Sequence, residues 1–345
     1  MSEAVGGKQR QRSFVSAQQV AERAGVSRSA VSRTFTDGAS VSDSTRARVI
    51  EAAEALGYHV NHLARGLIHD QSNIVSLVVT DINTPYQARM IDALTSRLQR
   101  AEKVAMVINT SGQAESVEKA LRQTLQYRAD ATIVLSGQPA GSLIQTCLNN
   151  GQHVIMVNRD DPVPGPDTII VTNRAAAREA FLHLQAAGCR KIAVVASEVG
   201  TASVVTREQA FVAAATEAGV AVQVMRHGPT AYASGSEIAR RMLGSEDRPD
   251  GAFCVTDLLA CGFMDTARSE FGLSIPEDLC VIGFDDIEQA GWSSFNLTTF
   301  RQPIEQIAER IVGLLDGPPP PRTRREPIRF QAELVWRKSV RGGPL

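Results

Sequence analysis

The sequence predicts a small all-α unit followed by a larger α/β core, and three observations carry that prediction. Residues 14 to about 58 are helical in pattern, with no strand-like alternation. From residue 74 onward, short β-rich runs recur between helix-like segments, at 74–79, 104–109, 131–136, 153–158, 191–197, 221–226, 251–256 and 279–284. These runs are apolar without alternation, as strands buried on both faces of a parallel sheet are. Strand then helix, repeated, is the mark of α/β architecture. About 270 residues of it exceed one doubly wound sheet, so two sheets are expected, with the chain crossing between them.

Composition narrows the function. The 345 residues hold 36 Lys and Arg against 37 Asp and Glu, a net charge of −1. That balance excludes a nucleic-acid binder built on bulk positive charge and gives no reason to expect a membrane-surface protein. No apolar run approaches the roughly 18 residues of a membrane span. The N-terminal stretch lacks the apolar segment of a signal peptide, so a cytoplasmic protein is expected. The five cysteines, at 147, 189, 254, 261 and 280, include no CxxC pair. Reduced, buried thiols and no metal site are the expectation.

In chain order, residues 1–13 read as a polar, Gly-bearing disordered tail. Ser16 followed three residues later by Gln19 is a capping box. It starts a helix with Val20, Ala21 and Ala24 on one face and Gly25 as its stop. Ser27 caps a second helix, with Ala30, Val31 and Phe35 inward and Arg28, Ser29, Ser32 and Arg33 outward. A third helix runs from Ser42 to Gly57, with Val49, Ile50, Ala53 and Leu56 expected inside. Two helices about a short Gly turn, the second with an Arg-bearing polar face, read as a helix-turn-helix. Hydroxyls and amides at helix N-termini suit phosphate oxygens, and Arg suits a guanine edge. A helical bundle with a solvated Ser/Arg face explains the same pattern. Residues 59–73 read as a short helix and a polar connector. His59, His62 and His69 cluster there as solvated residues. Gly317-Pro-Pro-Pro-Pro-Arg322 reads as a stiff surface loop, and the run 333–339 returns to a sheet. Trp292 and Trp336 are expected to pack in or near the core.

The run Val20-Ala-Glu-Arg-Ala-Gly-Val-Ser27, then Ala30-Val-Ser-Arg33, Val41-Ser42, Thr45-Arg-Ala-Arg-Val49 and Leu56-Gly-Tyr58, resembles the DNA-binding headpiece of the lactose-repressor (LacI/GalR) family. Asn61-His-Leu-Ala-Arg-Gly-Leu67 resembles its hinge helix. The match is ungapped over about 50 residues. The resemblance implies a helix-turn-helix domain at 14–59 and a hinge at 60–72. It also implies an effector-binding and dimerisation core at 73–345. The core would be periplasmic-binding-protein-like, two Rossmann-like subdomains joined by three crossings around a ligand cleft. The first would hold about 73–172 and 299–330, the second about 173–298 and 331–345. By the same resemblance Arg28, Ser29 and Arg33 reach bases, and Ser16, Ser32, Ser42 and Thr45 reach phosphates. Leu67 wedges into the minor groove, Ala64 lets paired hinge helices approach, and Asn61 opens the hinge. The family usually has Pro just before that Asn, where this chain has Val60.

The resemblance also nominates an effector site of Tyr86, Gln87, Asn158, Arg159, Asn173, Arg207, Asp257, Asp285 and Gln302. Thr256-Asp257 stands where the family commonly has Asn-Asp, which alters the pocket's chemistry. Seven of these residues have a plainer reading. Tyr86 packs on its helix; Asn173, Asp257 and Asp285 cap helices or a turn; Arg159 and Arg207 form salt bridges; Gln302 sits at a sheet edge. Arg207 with Asp285 suggests a polar, sugar-like or sugar-acid effector, since an Arg fork suits vicinal hydroxyls and anions alike. The implied protein is a transcription regulator, most simply a repressor. Its partners are near-palindromic double-stranded operator DNA, a small-molecule effector and a second copy of itself, with no membrane and no cofactor. No heptad tail for a tetramer follows the core.

Two rivals remain. A periplasmic small-molecule binding protein shares the core but neither the headpiece nor the absent signal peptide. An α/β enzyme needs a motif such as GxGxxG, GxxxxGK[ST], HExxH or GxSxG, and the sequence has none. Residues 1–70 hold nine basic and seven acidic side chains, a net +2, leaving −3 for the rest. A mildly basic reader joined to an acidic sensor predicts a shallow salt dependence of DNA binding.

Overall fold

A computed structural model describes residues 14–36, 38–59, 71–110, 114–137, 139–159, 164–317 and 326–344. The expectations for residues 1–13, for Asn61, His62, Ala64, Leu67 and His69 of the connector, and for the prolines after Gly317 fall outside these residues. The chain divides into two compact units, residues 1–72 and 73–345.

The first unit holds α1 (Ala17–Ala24), α2 (Arg28–Thr34) and α3 (Asp43–Leu56). Each start is capped by the hydroxyl the pattern pointed to: Ser16 in a full capping box with Gln19, Ser27 accepting from Ala30 N, and Ser42 from Thr45 N. Gly25 ends α1 at φ 59°, a left-handed conformation that suits glycine. A Cβ there would also lie 2.9 Å from Nη2 of Arg48. That guanidinium donates to the carbonyls of Ala24 and Gly25, and Arg46 donates to Thr34 O at 2.9 Å. Two arginines of α3 thus clamp the ends of α1 and α2. The core of the unit is Val20, Ala21, Ala24, Val31, Val49, Ala52 and Ala53. Ile50, expected inside, is 40% exposed. The buried stripe of α3 runs 49, 52, 53 and 56 at helical spacing, and position 50 falls a full 100° off it.

The second unit runs β1 (Ile74–Thr80), α4 (Pro85–Arg100), β2 (Val104–Thr110), α5 (Ala114–Gln126), β3 (Ala131–Val134), α6 (Gly141–Asn149), β4 (His153–Val157), β5 (Asp167–Val171). It continues α7 (Asn173–Ala186), β6 (Ile192–Ala196), α8 (Ala202–Glu217), β7 (Val222–Arg226), α9 (Tyr232–Leu243), β8 (Gly251–Cys254), α10 (Asp257–Ser269) and β9 (Cys280–Ile282). It closes with β10 (Thr299–Arg301), α11 (Ile304–Leu314), β11 (Ile328–Phe330) and β12 (Glu333–Val335). One six-stranded sheet has the order β11-β5-β4-β3-β1-β2, and a four-stranded sheet β7-β6-β8-β9; every pair within them is parallel. β10 and β12 form an antiparallel ribbon. The chain passes between the two sheets three times, after β5, after β10 and after β11.

The nine apolar runs all become strands. β2 and β7 depart from the expected two-sided burial: each is an edge strand, and Val104 is 59% exposed. β5, β10 and β11 were not anticipated; five, three and three residues long, they are too short to show a pattern. Residues 299–301 pair with β12, and Gly283 N and Asp285 N donate to the carbonyls of Thr298 and Phe300. They therefore extend the second sheet, which corrects their assignment to the first subdomain. Trp292, expected near the core, is 48% exposed, while Trp336 packs on it with its ring 5.2 Å from His183. All five cysteines are free and buried.

Candidate functional site

In open parallel sheets, ligands bind beyond the carboxyl ends of the strands. Those ends of β1, β3, β4, β8 and β9 carry Thr80, Ser136, Asn158, Thr256 and Asp285, and all five line one cavity of about 280 Å³. The start of α4 adds Pro85, Tyr86 and Gln87; the start of α8 adds Thr201, Ser203 and Arg207. Gln302 reaches it from the second crossing. Strand ends turn sharply here. Asp81, Asn158 and Asp285 adopt φ of 53°, 57° and 120°, unusual for residues with a Cβ. Such strain gathers where a side chain must be aimed.

At the centre, Arg207 is 3% exposed. Its Nε donates to Asn173 Oδ1 at 2.8 Å and its Nη1 to Val255 O at 2.8 Å. Nη1 also approaches Asp285 Oδ1 at 3.4 Å, and the guanidinium carbon stands 3.5 Å from the centre of the Phe284 ring. Gln302 Nε2 donates to the same Asp285 oxygen at 2.7 Å. That bond fixes the amide's orientation and leaves Gln302 Oε1 as a buried acceptor without a partner. Gln87 Oε1, Thr256 Oγ1 and the Tyr86 hydroxyl are likewise buried and unpartnered. Leaving such a group unpaired costs about 1–3 kcal/mol, so four of them around one cavity mark a place for a polar ligand.

The charges show the same deficit. Burial pushes the Asp285 carboxyl up to about 6 despite Arg207 and Gln302, and lowers the Arg207 guanidinium. Burial, with the Asp285 charge second, pushes Asp257 up to about 7. Burial also raises the Tyr86 phenol. The single 3.4 Å contact between Arg207 and Asp285 does not recover what both lose by leaving water. Two native carboxyls raised above 3.8 make the unliganded fold bind protons more tightly than the unfolded chain. Its stability therefore falls as pH rises from about 4 to 7. Urea titrations at pH 5 and pH 7.5 are expected to show the higher midpoint at pH 5 for this contribution; Asp285→Asn flattens the difference. An unchanged pH profile in that variant contradicts the assignment.

Of the nine nominated residues, the cavity wall holds Tyr86, Gln87, Asn158, Arg159, Arg207, Asp285 and Gln302. Asn173 and Asp257 stand behind it. Asn173 makes no side-chain cap; its amide steadies Arg207. Asp257 is fully buried, accepting from Ile287 N at 3.0 Å and from the Thr299 hydroxyl at 2.6 Å. It fixes the loop after β9 from which Asp285 projects. The expectation of direct ligand contact at Asp257 is thus replaced by its neighbour Thr256, which faces the cavity. Thr80 and Ser136 were overlooked, and Thr256 was noted for the pocket's chemistry but not nominated as a contact. Their signal was a short hydroxyl side chain at the carboxyl end of an apolar run, Thr80 just past 74–79 and Ser136 and Thr256 as the last residues of 131–136 and 251–256.

The first unit offers a second face. Arg28, Ser29, Ser32 and Arg33 are all exposed on α2, opposite buried Val31 and Thr34. Neither arginine forms an ion pair among the described residues. Ser29 is held 2.9 Å from the Ser27 hydroxyl. Ser16 and Ser42 are engaged as helix caps, and Ser42 also donates to Thr45 Oγ1 at 2.9 Å. They present the exposed N-termini of α1 and α3, sites that favour anions. Among the described residues no helix is long and apolar enough to cross a membrane, and no cluster of three or more metal-type ligands exists.

Comparison with known proteins gives two domain matches. Residues 17–61 match the bacterial regulatory proteins of the lacI family, and residues 181–340 match a periplasmic binding protein-like domain. The HTH-type transcriptional repressor PurR of Mannheimia succiniciproducens is 29% identical over 327 residues, covering 93% of this chain and 97% of its own. The HTH-type transcriptional regulator DegA of Bacillus subtilis is 28% identical over 327 residues, covering 93% and 96%. In structure, the chain resembles the lac repressor dimer bound to operator and the anti-inducer ONPF. The TM-score is 0.82 at 24% identity, over 95% of this chain and 99% of that one.

Proposed function

We propose that this chain, whose residues 17–61 match the lacI family of bacterial regulatory proteins, belongs to that family and represses transcription. It acts in the cytoplasm as a homodimer on near-palindromic operator DNA, under the control of a small polar effector. The observation that carries the DNA-binding half is the exposed Arg28–Ser29–Ser32–Arg33 face of α2, whose two arginines form no ion pair among the described residues, whereas Arg46 and Arg48 of the same unit clamp helix ends. Arg28, Ser29 and Arg33 read base edges. Ser16, Ser32, Ser42 and Thr45, with their helix N-termini, position the unit on phosphates. Asn61, Ala64 and Leu67 supply the hinge, with Leu67 as the wedge that opens a base step. No catalytic role is assigned to any residue.

The effector is sugar-like or a sugar acid. Arg207 Nη2, the guanidinium nitrogen not committed to the protein, donates to it. The Asp285 carboxylate and Gln302 Oε1 accept from its hydroxyls, and Tyr86, Gln87, Asn158, Arg159 and Thr256 complete the wall. A cavity of about 280 Å³ sits at the small end of ligand pockets, which favours a monosaccharide-sized molecule. Effector and operator each bias the arrangement of the two subdomains, so each alters the other's affinity by the same factor.

Selection from random duplex DNA with the full-length protein is expected to enrich a site with two inverted half-sites. Leu67→Ala weakens binding to that site without changing effector affinity. Sequence-independent binding refutes the DNA-reading role. A thermal-shift screen of sugars, sugar acids, polyols and nucleosides tests the effector, because a true ligand raises stability with the logarithm of its concentration. A response to nucleosides alone overturns the sugar reading.

A further inference from the structure

The inner end of the cavity is unequally supplied with donors and acceptors. Thr256, Asp285 and Gln302 line it there, 6%, 7% and 2% exposed. Each offers an oxygen that the protein does not use. Gln302 Oε1 and Thr256 Oγ1 are buried without partners. Asp285 Oδ1 is shared by Gln302 and Arg207, while Oδ2 receives no hydrogen bond among the described residues. On the donor side stands Arg207. Its Nε and Nη1 are spent on Asn173, Val255 and Asp285, which leaves Nη2. A carboxylate only accepts, an ammonium only donates, and a hydroxyl does both. Three free oxygens and one free guanidinium nitrogen therefore match a run of hydroxyls.

Charge points the same way. The lining holds four charged side chains, two of each sign: Asp81, Asp285, Arg159 and Arg207. Asp81 is exposed and Arg159 half-buried. The inner pair, Arg207 and Asp285, face each other at 3.4 Å, and the Phe284 ring covers the guanidinium. Fully buried Asp257 adds a further carboxyl behind the wall. Burial already raises the carboxyls of Asp257 and Asp285. Another carboxylate at this end would enter with no cation left to balance it, and an ammonium would enter beside Arg207. Leu135, Val157, Val204, Leu258 and Ile287 supply apolar wall, suited to the C–H groups of a carbon skeleton.

Resting on the reading of this cavity as the effector site, we infer that the effector is an uncharged polyol, an aldose, ketose or alditol, and that the acid and amine forms of the same skeleton are refused. Neighbouring hydroxyls donate to Gln302 Oε1, Asp285 Oδ2 and Thr256 Oγ1, and the oxygen of one accepts from Arg207 Nη2. An acid at the same place turns its charge toward three oxygens. An amine there has nothing with which to accept from Nη2. Both forms fit by size, so refusal comes from a buried charge left without a partner, which discriminates more sharply than a small misfit of shape.

The test screens the full-length protein by thermal shift against neutral aldoses, ketoses and alditols, and against the uronic acid, aldonic acid and amino-sugar forms of each. Compounds that respond are titrated by calorimetry. A neutral compound is expected to bind, with its acid and amine counterparts at least about tenfold weaker. Asp285→Asn is expected to weaken the neutral compound about tenfold and to strengthen its acid counterpart, because the repelling charge is gone. Thr256→Val removes a buried, unpaired hydroxyl. It is expected to melt higher without ligand and yet bind the neutral compound about fivefold more weakly, whereas a purely structural threonine moves the melting temperature alone. An acid or amine that binds more tightly than its neutral counterpart overturns the inference and leaves the cavity a sugar site. So does Asp285→Asn with unchanged affinity for the neutral compound. No response from any of the three classes overturns the sugar reading itself.

Discussion

Arg207→Ala is expected to abolish the effector response and to lower unfolding free energy by about 3–5 kcal/mol, the usual consequence of removing one partner of a buried ion pair. Asp285, Asn173 Oδ1 and Val255 O all lose a donor, and the Phe284 ring loses the cation on its face. The deficit has a pH signature. At pH 5 the Asp285 carboxyl is largely protonated and tolerates the loss; at pH 8 it must ionise alone or stay protonated against the solution. Denaturation at the two pH values is therefore expected to show the larger deficit at pH 8. Arg207→Lys keeps the charge without the fork, and recovers stability more than it recovers effector binding. Operator binding in the absence of effector survives Arg207→Ala, because the first unit has its own core. A loss below about 1 kcal/mol, or an intact effector response, contradicts the central place given to this arginine.

Arg28→Ala is expected to relax base preference at one position in each half-site by about 1–3 kcal/mol. Its effect on folding runs the other way. Arg28 is the first residue of α2, where the helix end is already positive, and the first turn holds no acidic side chain. A cation there works against the helix and touches nothing among the described residues that offsets it. Local rules broken without structural gain belong to functional positions. The variant should therefore melt at the same temperature or slightly higher while its selected DNA motif becomes degenerate at that base pair. An unchanged motif, or a destabilised variant, refutes the role.

The architecture was legible because long elements repeat a strong signal. Apolar runs such as 74–79 and 192–196 cannot be anything but buried strands once helices flank them, and serine, glycine and helical spacing bounded α1, α2 and α3. What escaped is what depends on distant chain. β11 is a strand only because β5 lies beside it, and Thr299–Arg301 joins the second sheet only because residues 333–335 return to it. At the site, the family resemblance pointed to Arg207 and Asp285. It did not tell Thr256 from Asp257, since one peptide step turns a side chain from cavity to interior. Nor does any pattern announce the φ of 120° that aims Asp285.

The three passages between sheets also set an order of assembly during synthesis. One edge strand of the first sheet, β11, pairs with β5 and is made almost 160 residues after it. The second sheet is finished from residues 299–301 and 333–335. Neither sheet can be completed by a nascent chain until residues 328–330 and 333–335 have left the ribosome. The first unit, ending by residue 72, has no such debt to later sequence. The first unit is therefore expected to fold while the second is still incomplete, and a translation product cut short in the second unit is expected to keep the first unit's fold.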